Sequence, residues 1–391
     1  MSSACVCGVA SIGRGDFHFQ LRGSSRLSHI SRAVANDWRR GPYEEGALKQ
    51  PRYSGDEPLS RLVSGLISIG PLFAAMQFAG RQVFLRTAEK KGIPWRSLSS
   101  QILNSEEIRA EKELVENKSI VYPEYYLQKF HAYTKGNLCW EAASEAEVAT
   151  MSMVRRTLPA AETTEEALEV LRGNWIRALE SYHSQNSVLP VSQVLDVGCS
   201  VGLSTIYLAE AFPSAQVTVC SFLVDSFRSL ANDGFQGLDL SPYFLAVAQH
   251  KEKQRIADGK LQRNPIRWRH ANGEHTGFPS CTFDIVSIAY VIHECAVHAT
   301  KGLLKEAYRI LKPGGTIAIT DNSPKSKILQ SLPPVLFTLQ KSTEPWLDDY
   351  YGLDLEEAMR EAGFICVCSR LTNPRHRTVN GTVPLAGKAE V

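Results

Sequence analysis

A chain of 391 residues with 43 Lys and Arg against 41 Asp and Glu carries a formal charge of +2 and a pI near 8.0; its basic residues are interspersed with acids, so no nucleic acid or other polyanionic partner is expected. Hydrophobic residues make up 43%, enough for a sizeable core and for two domains of ordinary size. The nine cysteines, at 5, 7, 139, 199, 220, 281, 295, 366 and 368, form no Cys-x-x-Cys pair and no Cys/His cluster at zinc spacing; they read as reduced, packed thiols, and no metal site is expected.

The first 35 residues are rich in Ser and Arg, hold one acid (Asp16), and lack the compact apolar core of a secretory signal. Residues 1–50 therefore read as an organelle transit peptide, plastid in its Ser and small-residue bias, or else as a disordered N-terminus; a chloroplast location follows from the first reading. The uncharged run "LVSGLISIGPLFAAMQFAG", 62–80, approaches the length of a membrane span, but its serines, glycines, Pro71 and Gln77 favour a buried helical hairpin broken at Gly70–Pro71 over peripheral membrane contact. Residues 55–160 read as a helical N-terminal region, a possible substrate cap. It includes the charged helix "NSEEIRAEKELVEN" and an aromatic loop with Tyr122, Tyr125, Tyr126, His131, Tyr133 and Trp140. "TTEEALEVLRGNWIRALESYH" then opens with Thr163 or Thr164 as N-cap and acids in its first turn, which predicts a helix leading into a last domain over 163–391.

Beyond Val191 strand-like and helix-like segments alternate: "QVLDVGC", "STIYLAEAF", a broken second strand, "PYFLAVAQHKEKQRIA", "IRWRHAN", "FDIVSIAYVIHE", "LLKEAYRIL", "GTIAITDN" and "LEEAMREAG". That pattern predicts an α/β fold, a doubly wound parallel sheet with helices on both faces and its ligand crevice at the carboxyl ends of the strands. The first strand runs into the turn Asp196-Val197-Gly198-Cys199-Ser200-Val201-Gly202, where two missing Cβ atoms allow a sharp bend and close approach of a ligand to backbone amides. Its spacing departs from Gly-x-Gly-x-x-Gly, since Ser200 fills the middle glycine position. Asp239 ends the second strand, where a carboxylate can accept both hydroxyls of a ribose. Asn272 follows the third strand, suited to an adenine edge, and "LKPGG" predicts a turn before the fifth.

In this order the pieces resemble a class I S-adenosylmethionine-dependent methyltransferase, in the branch of the ubiquinone and menaquinone methyltransferases and their plant-plastid and cyanobacterial relatives. The resemblance covers about 191–364 and, more loosely, "HAYTKGNLCW". It implies a Rossmann-like fold and S-adenosyl-L-methionine as cofactor. The Asp196–Gly202 turn, with Gly198, Cys199 and Ser200, would take the methionine half, Asp239 and Leu240 the ribose, Asn272 and the Gly273 amide the adenine, with Ala289 and Tyr290 beside the sulfonium. Asp284 is expected to bond backbone near its strand.

Methyl transfer by in-line displacement needs a base only if the acceptor must lose a proton. His293 and Glu294 lie within plausible reach, and a histidine of ordinary pKa near 6.5 suits that task; the alternative is that His293 caps or packs. Acceptor contacts are expected from Tyr126, His131, Tyr133 and Trp140, and the insertion "SPKSKILQSLPPVLFTLQKSTEPWLDDYYG", 323–352, is a candidate lid over a small hydrophobic molecule, quinol or lipid-like. A non-catalytic binding protein on the same fold and an NAD-dependent dehydrogenase are the rival functions.

One stretch breaks the pattern. Gly202 and Asp239 stand 37 positions apart where about 20 is usual. Removing 219–236 restores a separation of 19 and joins "QVT" to "GLDL" as one strand. Val219-Cys220 and Phe235-Gln236 can also be encoded by intron-boundary sequences. Either a retained in-frame intron or a genuine surface loop cuts the strand there.

Overall fold

The expected strands form, and most are apolar on both faces, as a sheet covered on two sides requires. The computed structural model describes residues 43–54, 61, 65, 78, 81–82, 85–131, 133–213, 234–259 and 265–385. Strands β1 (Gln193–Val197), β2 (Gly234–Asp239), β3 (Arg267–His270), β4 (Phe283–Ala289), β5 (Leu311–Asn322), β6 (Ile365–Leu371) and β7 (His376–Thr382) make one sheet of order β3-β2-β1-β4-β5-β7-β6. The first five are parallel; β7 runs antiparallel between β5 and β6. Strand order reverses between β1 and β4, which opens the crevice where a doubly wound sheet takes its ligand.

Alternate residues serve the two layers. Val194, Phe235, Ile285 and Ala318 face α4 (Thr164–Asn186) and α5 (Leu203–Ala211) through Trp175, Leu179 and Leu208. Leu195, Leu238, Val286 and Ile317 face α7 (Val297–Ile310) and α11 (Leu355–Glu361) through Leu304, Ile310 and Met359. Each such fully buried side chain contributes roughly 1.5–3 kcal/mol. α4 starts as expected, with Thr163 as N-cap accepting from the Glu166 amide. α6 (Pro242–Ala257) starts on Ser241, with proline at its first position.

The helical N-terminal segment does not stand apart: all described residues belong to one compact unit. α1 (Trp95–Leu103) packs on α3 (Trp140–Thr157) through Trp95, Val148 and Met151. The charged helix α2 (Glu106–Val115) is pinned to α6 by Ile108 against Phe244 and Val247 and by Glu111 with Lys253 at 2.7 Å. Of the run 62–80 only Gly65 and Phe78 are described, both helical and exposed; among the described residues no helix is long and apolar enough to cross a membrane.

Four expectations are corrected. Residues 43–50, assigned above to a transit peptide, pack on the domain: the Gly46 amide donates to Lys325 O at 2.6 Å, Glu45 bridges Ser326, and Gln330 both accepts from Leu48 N (3.1 Å) and donates to Leu48 O (2.6 Å). The insertion 323–352 forms α8 (Lys327–Gln330), α9 (Pro334–Thr343) and α10 (Leu347–Gly352), but Phe337, Leu347, Tyr350 and Tyr351 are buried in the main core, so it is a wall and not a loose lid. "LKPGG" lies inside β5 as a bulge, its register against β4 slipping between Leu311 and Thr316. Cys366 and Cys368, expected to face one side and pack, are both exposed, and the register of β6 against β7 slips between Ile365 and Cys368.

The second strand is not left short. Gly234, Phe235 and Gln236, at the end of the suspected insertion, pair with Gln193, Val194 and Leu195, and Phe235 is buried. They supply the polar–apolar–polar alternation that "QVT" would, because an apolar residue in the middle is all this position asks. Residues 216–218 and the rest of the interruption up to 233 lie outside the described residues.

Candidate active site

At the carboxyl end of β1 the Asp196 carboxylate turns back into the protein. Thr205 in α5 donates to Oδ2 at 2.8 Å and Ser287 in β4 to Oδ1 at 2.9 Å. Burial raises its pKa to about 6 against those two hydroxyls and nearby Arg172. Asp196 thus ties α5 and β4 to β1 and shapes the turn above it. In that turn Gly198 (φ 72°), Ser200 (φ 51°) and Gly202 (φ 85°) are all left-handed. A Cβ on Gly198 would stand 2.4 Å from Val291, and one on Gly202 2.5 Å from the Trp268 ring. Cys199 is buried beneath the turn and contributes backbone: its amide and that of Gly198 both donate to Leu238 O. Ser200 accepts a conformation that costs a side-chain-bearing residue about 1–2 kcal/mol, and its amide donates to Asp239 Oδ2 at 2.8 Å. Gly202 leaves the first turn of α5 without a side-chain cap.

Asp239 Oδ1 accepts from the Ser241 amide at 2.7 Å, so the carboxylate joins the turn to the start of α6; burial raises its pKa to about 6 against those amides. Leu240 beside it is held by its carbonyl, which accepts from His270 Nε2 at 2.9 Å while His270 Nδ1 accepts from the Asn117 amide at 2.9 Å. These partners define a neutral His270 with its proton on Nε2. Asn272 Oδ1 accepts from the Glu274 amide at 2.9 Å, which leaves its NH₂ as the group to meet a ligand. Gly273 is required by packing, since a Cβ there would meet Leu303 and Val197 within 2.7 Å. Beside Asn272 lies a pocket of about 480 Å³ bordered by Tyr122, Tyr125, Glu274, His298 and Trp346.

Across the crevice β4 ends in buried Ala289 and in Tyr290, whose φ of 63° is strained for an aromatic residue and whose hydroxyl is buried without a partner. A short 3₁₀ turn, Ile292–Glu294, follows. His293 Nδ1 lies 2.8 Å from Asp321 Oδ1, off line for a hydrogen bond, and its amide donates to Asp321 Oδ2 at 3.1 Å. Burial opposes its charge, but Asp321 outweighs burial and raises the pKa to about 10. Against the expected ordinary value near 6.5, the acids around His293 favour its charged form, which opposes a role as proton acceptor. Glu294 accepts from Asn137 Nδ2 at 3.1 Å. Burial raises it to about 8, lowered by His293 and raised again by Glu344.

Of the four aromatic-loop candidates, His131 has a measured contact with this wall. His131 Nε2 lies 4.0 Å from Glu294 and 3.9 Å from Glu344, and desolvation and then His293 hold it below its ordinary pKa. Tyr126 stacks on Tyr122 with ring centroids 6.3 Å apart, and burial, then the charges of Asp239 and Glu294, raise the pKa of its hydroxyl. Tyr133 instead donates to Glu145, and Trp140 packs edge-on against Tyr243 at 5.0 Å with Arg109 over its ring; both belong to the seam between α2, α3 and α6. Asp284 bonds the Ser192 and Gln193 amides and Lys312; burial alone would raise it, and those partners lower it. Asn137, Asp321, Glu344 and Arg172 carried no motif and were missed. Among the described residues no group of three or more His, Cys, Asp or Glu could hold a metal ion.

Residues 224–319 match the model of a methyltransferase domain family. The chain is 30% identical to demethylmenaquinone methyltransferase of Geobacillus sp. (strain WCH70) over 191 residues, 44% of this chain and 70% of that protein. It is 33% identical over 95 residues to the mitochondrial 2-methoxy-6-polyprenyl-1,4-benzoquinol methylase of Caenorhabditis elegans, 24% of this chain and 31% of that one. Among solved structures it is similar to magnesium protoporphyrin IX methyltransferase of Synechocystis (15% identity, TM-score 0.37, 59% of this chain and 91% of that one). The residues fit the expected cofactor: the Asp239 carboxylate is fastened to the glycine turn, α5 begins without a side-chain cap on its first amides, and the Tyr290 hydroxyl is buried without a partner. The chain belongs to the class I S-adenosylmethionine-dependent methyltransferases, in the branch of the menaquinone and ubiquinone methyltransferases, and its cofactor is S-adenosylmethionine.

Proposed function

We propose that this chain methylates a small hydrophobic acceptor of quinol or lipid-like character that must release a proton. The observation that carries this reading is the juxtaposition of His131 with Glu294 at 4.0 Å and with Glu344 at 3.9 Å. The names of the relatives, a demethylmenaquinone methyltransferase and a 2-methoxy-6-polyprenyl-1,4-benzoquinol methylase, support the acceptor class. The cofactor supplies a methyl group already activated on a sulfonium. Alignment is then the main task of the protein. The 198–202 turn takes the amino-acid half, Asp239 with Leu240 the ribose, and the Asn272 NH₂ with the Gly273 amide the adenine; Ala289 and Tyr290 border the reacting centre. Glu294, not His293, receives the proton, so that the acceptor gains a methyl group and loses H⁺ to a carboxylate whose proton affinity suits neutral pH. His293 with Asp321 positions the turn that carries Glu294.

Incubating the protein with methyl-labelled S-adenosylmethionine and a plastid lipid and quinone extract, read by mass spectrometry, is expected to label a quinol-class product. Binding of S-adenosylhomocysteine without any labelled product would favour the non-catalytic alternative, and heat with NADH instead would favour the dehydrogenase. We place the protein in the plastid from its Ser- and Arg-rich start, with any cleavage ahead of Tyr43; mass spectrometry of the tissue protein is expected to find a new N-terminus before that residue, and an intact Met1 would overturn the reading.

A further inference from the structure

Asn137 belongs to none of the cofactor motifs; it sits in the turn that closes the aromatic loop just ahead of α3. That turn is fastened to itself, the Gly136 amide donating to Tyr133 O and the Leu138 amide to Lys135 O, both at 3.1 Å. From it Asn137 reaches two sides of the crevice. Its carbonyl accepts from the Ser241 hydroxyl at 2.7 Å, beside Asp239, and its Nδ2 donates to Glu294 Oε2 at 3.1 Å. Ser241 is fully buried with its own amide held by Asp239, so the backbone of Asn137 is tied to a fixed point. A carboxylate only accepts, which sets the NH₂ of Asn137 toward Glu294.

The two oxygens of Glu294 are therefore unlike. Oε2 is held, whereas among the described residues no donor bonds Oε1, which faces His131 Nε2 across 4.0 Å. The side chain is 24% exposed and so is accessible to a ligand. We propose that Asn137 is the positioning residue of the proton acceptor: it holds Oε2, favours the ionised carboxylate, and leaves Oε1 as the atom that takes the proton. In that step the methyl acceptor loses H⁺ to Oε1, its bonding pair stays on the nucleophilic atom, and Glu294 passes from carboxylate to neutral acid. The bond to Oε2 is strongest while the charge is present, which is why it favours the state able to accept. Other groups act on the same carboxyl: burial raises its pKa, His293 lowers it, Glu344 raises it, Asn137 lowers it and Asp321 raises it, with His131, Tyr126 and Cys295 also beside it. This rests on the reading of Glu294 as proton acceptor and adds the residue that orients it.

The ionisation of Glu294 can be followed by ¹³C NMR of protein labelled at the glutamate carboxyl carbon, its signal being the one that Glu294→Gln removes. Asn137→Ala is expected to move that titration to higher pH by about one unit, the effect of one hydrogen bond to a charged group, and Asn137→Asp, which sets a second carboxylate there, by more. Methyl transfer to the lipid and quinone extract should then fall about 10-fold at pH 7 in Asn137→Ala, with the deficit closing as pH rises, while S-adenosylhomocysteine affinity stays within about twofold. In the Glu294→Gln background the same substitution should change the rate by less than about twofold. If Asn137→Ala fails to fold, the nearly isosteric Asp variant carries the comparison. A Glu294 titration unmoved in both variants, or an equal loss of rate with and without Glu294, would make Asn137 a structural residue and overturn the proposal. A wild-type rate in Glu294→Gln would instead refute the proton-acceptor reading underneath, and this role with it, whatever the titration shows.

Discussion

The wall of the crevice formed by β1 and β2 is made of backbone, three left-handed residues in a five-residue turn fastened to Asp239, whereas the facing wall is made of side chains from distant segments: His131, Glu294, Asp321 and Glu344. The first can hold one shape, because each left-handed residue and each missing Cβ excludes alternatives. The second is a set of mutually perturbed charges that can be altered one at a time without unfolding the turn opposite. A fixed donor side and an adjustable acceptor side are what a transferase needs if one cofactor is to serve different acceptors.

Substitutions can break or sharpen that contrast. Glu294→Gln should lower kcat by about 10²-fold or more while leaving S-adenosylhomocysteine affinity unchanged, the signature of a lost proton acceptor on the adjustable wall; a matching loss of affinity would merge the two walls. Asp239→Ala should do the reverse, weakening S-adenosylhomocysteine about 100-fold by calorimetry, since it removes the acceptor of the Ser200 and Ser241 amides along with the sugar contact. Gly198→Ala should cost about 1–3 kcal/mol in denaturant melts, given its φ of 72° and the clash with Val291. Ser200→Gly in the same turn should stabilise by a fraction of that.

Deleting 219–236 places Val217 where Phe235 is buried. The gain from a shorter loop and the loss of aromatic burial are each about 1–2 kcal/mol, so a folded chain melting within a few degrees of the parent is expected. Collapse of the fold would make the segment an integral part of the protein. The smallest effect is on pH dependence. Glu294 must be ionised to act, so the rate should rise with pH and reach half its maximum near its pKa of about 8. His293→Gln removes the cation that lowers this value and should move the limb to higher pH, whereas Glu344→Gln should move it lower; a profile that ignores both would deny the coupling.

The donor wall was legible because its information is local: a strand, a glycine turn and an acid at a strand end are contiguous in sequence and have one geometric solution. The acceptor wall was not. Nothing near His293 announces that Asp321, on the next strand, will lie 2.8 Å from its ring, and Glu344 carries no motif. Tyr126 and Tyr133 look alike in sequence, yet one stacks on Tyr122 and the other bonds Glu145, a distinction no local motif makes. The interrupted strand drew suspicion because Gly202 and Asp239 stand 37 positions apart where about 20 is usual, yet Gly234 to Gln236 supply the apolar middle residue that the sheet uses.

Residues 44–48 are laced to 325–330 by hydrogen bonds in both directions, and that same insertion carries Glu344. Maturation and truncation therefore have a natural stop. A polypeptide beginning after Leu48 would lose the ties of Gln330 and the brace behind α8 while keeping β1, β2 and the glycine turn. Such a shortened enzyme should hold its cofactor yet handle its acceptor poorly, so the choice of start residue is itself a functional variable when the protein is produced.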